Sequence, residues 1–186
     1  MEMTRFTDNG NGTVIDNLTG LMWLKDAGII YTTWDDGLTQ IQKLNKGKNF
    51  SAKNYVPKTY TDWRIPNLNE FESMRDMTHF APPISNRAGN GKWTNGDPFV
   101  KIKHGRNGYG HYWTSTALGE RPTAAWYILL QDGSIGRSRK TYKKGIWPVR
   151  LSQVNQPSPS TDQTLSVLNK LEQDILYLIG AAKERL

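Results

Sequence analysis

Short apolar runs separated by turn residues dominate the hydrophobic pattern at the start of the chain. Two Asn-Gly pairs at 9–12 separate a short first run from Thr13-Val14-Ile15, and a second turn at 17–20 precedes the apolar run at 21–24. Asn-Gly between apolar runs is a strong hairpin signal, because both residues tolerate a positive φ. The pattern therefore predicts a meander of two tight hairpins.

Two later stretches have a helical period instead. Apolar residues recur every three positions from Leu38 to Leu44, and Thr33 can cap the first turn, which predicts a helix over 34–46. Asn67 can cap a second helix over 67–77, with Glu70 at the capping-box position three residues later. Acidic residues near both N-termini suit the positive end of the helix dipole.

The region from 112 to 150 combines framework-like and loop-like segments. Two apolar-aromatic runs, 124–130 and 146–151, flank a polar basic segment, and short runs bounded by turn residues are typical of paired strands. The segments 117–123 and 137–144 are polar, charged and without periodicity, which is typical of exposed connections. We therefore expect these two loops to be free to meet a partner.

After Arg150 the composition changes to a polar, proline-bearing linker at 153–161. Residues 162–186 then show apolar positions at alternating spacings of three and four, the pattern of a helical seam. The wide apolar stripe must pack on its own domain or pair with copies of itself. Because a linker separates it from the preceding domain, we expect an amphipathic helix that self-associates, as a trimer, or docks on a larger fibre, through Leu168, Leu171, Ile175 and Leu178.

Charge is unevenly distributed along the chain. Residues 91–150 contain 11 Lys and Arg against 3 Asp and Glu, a net charge of +8, whereas residues 1–90 contain 10 of each. Such a field attracts polyanions or an acidic partner, although a solubilising surface has the same composition. The chain has no cysteine, which excludes disulfides and thiolate chemistry. The sequence contains no membrane-spanning run and no apolar signal region at its N-terminus.

Few residues suggest catalysis or metal binding. The spacing of Asp8, Asn9, Asn11 and Asp16 has some likeness to a calcium loop, but no glutamate closes it, and ordinary Asx turns are the favoured interpretation. The three histidines have no ligand spacing, and a Ser115/His111/Asp132 triad lacks any nucleophile elbow. We therefore expect no metal, no cofactor and no enzymatic activity. The irregular stretch 79–111 is long enough to be a functional or mobile loop.

Six strings, in order, carry a resemblance to a known family. They are FTDNGNGTVIDNLTGLMWLKD (6–26), TWDDGLTQIQKLN (33–45), DWRIPNLNEFESM (62–74), YWTST (112–116), AWYILLQDGSI (125–135) and WPVR (147–150). Together they resemble the Lcl C-terminal domain family, whose members have a C-type-lectin-like fold and occur in a bacterial collagen-like adhesin and in many other proteins.

The resemblance implies an α+β, C-type-lectin-like domain over 1–152, with two helices on small antiparallel sheets and with the first strand paired to the last. Retroelement-diversified proteins share this fold and vary its final strands and loops, which correspond here to about 108–144. The resemblance also favours display on a cell surface or a virion. The sugar-binding motifs of calcium-dependent lectins have no counterpart in the chain, and the enzymatic branch of the superfamily depends on cysteines.

The leading interpretation is a non-enzymatic ligand-binding or adhesion module, displayed as an oligomer, for a protein or an anionic glycan. The alternatives are nucleic-acid or other polyanion binding through the basic face of 91–150, and a structural tip of a fibre or virion. Trp113, Trp126, Tyr127 and Trp147 alternate with apolar neighbours and are assigned to the core. The candidate ligand-binding residues are Trp93, Lys101, Lys103, Arg106, Tyr109, His111, Leu118, Glu120, Arg121, Arg137, Arg139, Lys140, Tyr142 and Lys143.

Overall fold

A computed structural model describes residues 4–47, 60–105 and 110–152. The predicted linker and terminal helix, and the candidate residues Arg106 and Tyr109, lie outside the described residues. The described part belongs to one compact unit, Met1–Ser152. Its elements are β1 (Phe6–Asp8), β2 (Thr13–Asp16), β3 (Leu21–Leu24), β4 (Ile30–Thr32), α1 (Trp34–Asn45), α2 (Leu68–Ser73), β5 (His111–Leu118), β6 (Arg121–Leu129), β7 (Ile135–Arg139), β8 (Lys144–Ile146) and β9 (Val149–Leu151).

The first sheet has four antiparallel strands in the order β1-β2-β3-β9. The two predicted hairpins are confirmed, because β1 pairs with β2 and β2 with β3 in continuous register. Gly10, Gly12 and Gly20 have a positive φ in the turns, as the Asn-Gly signals require. The last strand, however, pairs with β3 and not with the first strand, which corrects the pairing implied by the resemblance.

The second sheet has five strands in the order β4-β8-β5-β6-β7. The apolar run 146–151 is not one strand: Ile146 ends β8 in this sheet, and Val149 begins β9 in the other. The division falls at Trp147-Pro148, and proline has no N–H to continue a ladder. The run 146–151 therefore joins the two sheets. The other apolar run, 124–130, pairs with β5 and β7 and not with 146–151.

Both helices begin where their caps predict. Thr33 accepts the Asp36 N–H at the start of α1, and Asn67 and Glu70 form a complete capping box at the start of α2. α2 ends at Ser73, however, and not near 77. The Met74 N–H bonds to Phe71 three residues back, and the Asp76 N–H bonds to the Pro83 carbonyl in another segment, so the helical ladder does not continue.

The core is built around fully buried tryptophans. The Trp147 ring contacts the rings of Trp23 at 5.3 Å and Phe99 at 4.8 Å in edge-on geometry, and its indole N–H donates to the Leu24 carbonyl at 2.6 Å. Such aromatic contacts add to the stabilisation from buried area. Because Trp147 lies between the two sheets in sequence, it ties them to one core.

The stretch after α2, which the sequence suggests as a functional or mobile loop, contributes to this core. Ile84, Trp93, Phe99 and Ile102 are all buried. Residues 99–102 form no strand; Val100 makes a single parallel bridge with Asp26. Irregular backbone can be buried because its polar groups are bonded, as in the pairing of Val100 N–H with the Lys25 carbonyl.

The described residues thus form an α+β domain, in which antiparallel sheets predominate and two helices pack beside them. Within these residues, neither helix has the length and apolar character needed to cross a membrane.

Candidate functional site

The two segments predicted as exposed loops are largely strands. Residues 117–118 complete β5, 121–123 begin β6, and 137–139 belong to β7. Only the tight turn at 119–120 and the segment 140–143 are connections. Charged residues at alternate positions of β7 conceal the strand in the sequence, because Arg is not a strong strand former. The basic residues therefore have fixed positions on a sheet.

An open cleft of about 390 Å³ lies where the β5–β6 hairpin meets β7. Its lining is dominated by arginines and small residues: Leu118, Arg121, Thr123, Ala124, Arg137, Ser138 and Arg139. Four of these residues, Leu118, Arg121, Arg137 and Arg139, are among the candidates from the sequence. The register Ala124↔Arg139 and Ala125↔Ser138 holds the two sides of the cleft together.

The cleft arginines differ from the other arginines of the domain in their partners. Five arginines of the described residues form ion pairs with carboxylates: Arg5 with Asp16, Arg64 with Glu70, Arg75 with Glu72, Arg87 with Asp8 and Asp97, and Arg150 with Asp62. Arg121, Arg137 and Arg139 have no carboxylate partner in the same set of residues. Three exposed guanidinium groups are therefore available for an external anion.

Lysines next to the cleft have different environments. The Lys140 ammonium lies 3.9 Å from the centroid of the Trp34 ring, a cation–π contact. Tyr142 and Lys143 are exposed in the β7–β8 connection. Lys144, in contrast, is buried beneath the rings of Tyr127 and Trp113, with its ammonium 4.3 and 5.0 Å from their centroids. Burial lowers the pKa of Lys144.

Trp126 is a neighbour of the cleft that the sequence assigns to the core. It is half-buried, whereas Trp113 and Trp147 are fully buried. Trp126 is the cross-strand partner of Arg137, and such partners have adjacent side chains on one face of a sheet. Trp126 differs from the buried tryptophans because it pairs with a charged strand. The periodicity of 124–130 does not reveal that pairing. Thr123 and Ser138 are likewise cleft residues that sequence reasoning missed.

Three candidates lie away from the cleft. Trp93 is only 8% exposed, and its indole N–H donates to the Phe99 carbonyl at 3.0 Å, which corrects its assignment to a ligand-binding face. The Lys101 ammonium pairs with Asp26 at 2.6 Å. Lys103 is exposed and lines a separate cavity. The structure thus divides the basic region into two places instead of one continuous face.

The cavity beside Lys103 is small and lined mostly by apolar groups. It has a volume of about 220 Å³ and is lined by Ala27, Gly28, Ile30, Tyr31, Lys103, Tyr112 and Gly145. The Tyr112 hydroxyl accepts the Lys103 backbone N–H at 2.8 Å. Burial raises the pKa of Tyr112, and the hydroxyl fixes the backbone at Lys103 through this bond.

The remaining described candidates, His111 and Glu120, lie in or next to strands of the five-stranded sheet. His111 begins β5, and its ring lies 4.8 Å from the Tyr127 ring. Glu120 is exposed in the β5–β6 turn, close in sequence to the cleft residue Arg121. Glu120 is therefore the one acidic candidate near the cleft, and its charge opposes an incoming anion.

Polar side chains of the first hairpin form local hydrogen bonds. Asp8 accepts the Gly10 N–H and the Lys25 ammonium, and Asn11 accepts the Thr13 N–H, as in Asx turns. Burial would raise the pKa of Asp8, but the bonds from Lys25 and Gly10 hold it below its ordinary value. Among the residues that the structure describes, no cluster of three or more His, Asp or Glu could hold a metal ion.

Together the fold and the cleft define a class: a small α+β domain with a rigid core and a cationic cleft on strands at one end of a sheet. The chain belongs to the Lcl C-terminal domain family, whose pattern it matches over residues 12–150. A comparison with curated protein sequences gave no match.

Proposed function

We propose that this protein is a non-enzymatic binding or adhesion module of C-type-lectin-like fold, whose cationic cleft holds an anionic group of a protein or glycan ligand. The observation that carries the proposal is the concentration in a single cleft of three arginines that have no carboxylate partner among the described residues. Membership of the Lcl C-terminal domain family supports the same kind of function.

Two features support the lectin-like assignment. The N-terminal and C-terminal strands lie in the same four-stranded sheet, so the chain enters and leaves the domain on one side. Irregular segments and the second sheet form the remainder of the domain, with both helices packed on the sheets. The cleft lies on β5, β6 and β7 of the second sheet, whereas the first and last strands lie in the first sheet.

The chemistry of the cleft suits an oxyanion. A guanidinium group forms two parallel hydrogen bonds to a carboxylate, sulfate or phosphate, and it is less strongly hydrated than an ammonium group. The cleft volume of about 390 Å³ is within the usual range for ligand sites, and Thr123 and Ser138 offer neutral hydroxyls beside the arginines. Half-buried Trp126 adds a rigid apolar surface.

Oligomeric display would strengthen weak binding. Residues 162–186 have the sequence pattern of an associating helix, and several copies of a weak site gain avidity when they engage one surface. The module is accordingly proposed to act on multivalent ligands, such as a glycan layer or a repeated protein.

Binding to arrays of anionic glycans and proteins at low and high salt tests this function. We compare the wild type with a variant in which Arg121, Arg137 and Arg139 become glutamine, and with a charge-matched control in which Lys43, Lys46 and Lys92 become glutamine. All three control lysines are exposed and lie outside the cleft. We expect the cleft variant to lose at least about tenfold in affinity and the control to stay within about threefold, since screened charges act weakly at a distance.

Equal losses in the two variants would mean that net charge, not the cleft, attracts the ligand, and would contradict the proposal. Binding to DNA and RNA in the same range as to the best array ligand would favour a general polyanion-binding role instead, which has a steep salt dependence.

A further inference from the structure

The outer edge of β7 is open, and we propose that it accepts an extended acidic segment of a partner protein as an added strand. The inference rests on the proposed function, because it uses the same arginines. It goes further in naming the partner as a polypeptide in β conformation, recognised through its backbone as well as through its carboxylates.

Hydrogen bonds at both ends of β7 determine which backbone groups point outward. The Lys140 N–H donates to Thr123, and the Leu129 N–H donates to Ser134, both at 2.9 Å. In antiparallel pairs, hydrogen-bonded and non-hydrogen-bonded positions alternate. The even-numbered residues of β7 therefore bond to β6, while the N–H and C=O groups of residues 135, 137 and 139 point away from the sheet.

Other sheet edges in the described part of the chain are covered. The outer side of β1 is bonded to residues 87–88, with the Phe6 N–H donating to Arg87 at 3.0 Å. The outer side of β9 is closed by Arg64, which exchanges two hydrogen bonds of 2.9 Å with Val149. β4 is only three residues long and leads directly into α1.

β7 has only one of the features that usually protect an edge, its exposed charged side chains. It has five residues in continuous register with β6, without a bulge, a proline or an inward charge. In the described part of the chain, one hydrogen bond reaches its outer side, from the Tyr142 N–H to the Arg139 carbonyl at 3.1 Å, and the outward backbone groups of Ile135 and Arg137 have none. An edge of this length and regularity is a template for strand addition, and ladder hydrogen bonds would supply affinity without sequence specificity.

The side chains along this edge indicate the sequence of the added strand. Ile135, Arg137 and Arg139 alternate on one face and are all exposed, with Ile135 at 37%. Side chains of neighbouring strands stand about 5 Å apart on the same face. A segment with acidic residues at two alternate positions and an apolar residue at the next would match this face.

The experiment uses a peptide about seven residues long, the length of an ordinary strand, with glutamate at two alternate positions, valine at the next alternate position and threonine elsewhere. Two analogues carry backbone N-methyl groups at the odd or the even positions, which leaves the charge unchanged. Because only one set of amides faces β7, we expect one analogue to bind the full-length protein at least about tenfold more weakly than the parent peptide and the other to bind within about threefold. If both analogues bind as tightly as the parent, the inference is wrong.

A matched pair of protein variants tests the same edge from the other side. Arg137→Ala and Arg137→Pro both remove the guanidinium group, but only proline also removes the outward N–H. Proline is tolerated where an edge N–H faces solvent, and thermal melting checks that both variants fold. We expect the proline variant to bind the peptide about threefold to tenfold more weakly than the alanine variant. Equal affinities would overturn the proposal.

Failure of this inference is distinguishable from failure of the proposed function. Binding of a sulfated glycan but not of the peptide would reject strand addition and leave the anion-binding cleft intact. Binding of neither ligand would reject both. An oligomer of the wild type that dissociates in Arg137→Pro but not in Arg137→Ala would assign the edge to a second copy of this chain, and would also overturn the proposal.

Discussion

Two regions of the domain use arginine in opposite ways. Around the four-stranded sheet and α2, each described arginine pairs with a carboxylate, and some of these pairs join segments that are distant in sequence, such as Arg150 and Asp62. At the β5–β7 end, Arg121, Arg137 and Arg139 have no such partner among the described residues. The net charge of a region therefore predicts which arginines are available for a ligand less well than the local supply of carboxylates does.

The paired arginines are part of the scaffold. Arg5 links Asp16 of β2 with the Ser73 carbonyl at the end of α2. Arg150 is 3% exposed and also lies 4.2 Å from the Tyr60 ring. Buried charges require partners because their desolvation is costly. Loss of a partner in this region should therefore reduce stability, whereas loss of a cleft arginine should not.

The largest expected effect comes from Asp16→Asn. The Asp16 side chain is fully buried and accepts two bonds from Arg5 at 3.1 Å. The substitution leaves the Arg5 charge without its counterion, and we expect a loss of about 3 kcal/mol in the free energy of unfolding. Urea denaturation measures it.

The control for this prediction is the double variant Arg5→Met/Asp16→Asn, which removes both charges and should recover part of the loss. A loss below about 1 kcal/mol in the single variant would show that this pair is no stronger than a surface pair. The contrast between the two regions would then disappear.

A smaller effect is expected for Glu70→Gln. Burial would raise the pKa of Glu70, but bonds from Arg64 and from the Asn67 N–H more than offset it and lower the pKa. A lowered folded pKa means that stability is gained above the unfolded value of 4.5 and is lost as the pH falls through the folded value. We expect a cost of about 1.5 kcal/mol at pH 7 that disappears in acid.

Denaturation curves between neutral pH and acid test this prediction, with Glu72→Gln as the matched control. Glu72 pairs with Arg75 but caps nothing, and its side chain is 33% exposed, so its loss should cost only about 0.5 kcal/mol. A Glu70→Gln penalty that persisted unchanged at low pH would mean that the carboxylate charge is not the source of the stabilisation.

Local signals in the sequence are sufficient for much of the scaffold. The two N-terminal hairpins, the Thr33 cap and the Asn67–Glu70 capping box were predictable, because turn and capping chemistry depends on residues a few positions apart. The early end of α2 was not predictable in this way. It depends on a hydrogen bond from Asp76 to Pro83 in another segment.

The cleft was predictable in content but not in form. The charge excess of 91–150 indicates a cationic surface, and four cleft residues were named from it. β7 was missed because a strand with arginines at alternate positions shows no apolar face in the sequence. Ile135, Arg137 and Arg139 nevertheless follow the strand period of two. Trp93 was misplaced because an irregular segment shows no period that would reveal its burial.

The smallest effect on stability is expected for single substitutions of the cleft arginines, which test the contrast between the two regions most directly. Arg121→Ala, Arg137→Ala and Arg139→Ala each remove an exposed side chain that has no carboxylate partner in the described part of the chain. We expect each to change the free energy of unfolding by less than about 0.5 kcal/mol, as is usual for surface positions. Their close spacing favours a slight gain in stability, since like charges repel. Urea denaturation of the three variants beside Arg5→Ala measures the difference. A stability loss above about 1 kcal/mol in any cleft variant would place that arginine in the scaffold, because a residue retained for an external ligand contributes to binding and not to folding.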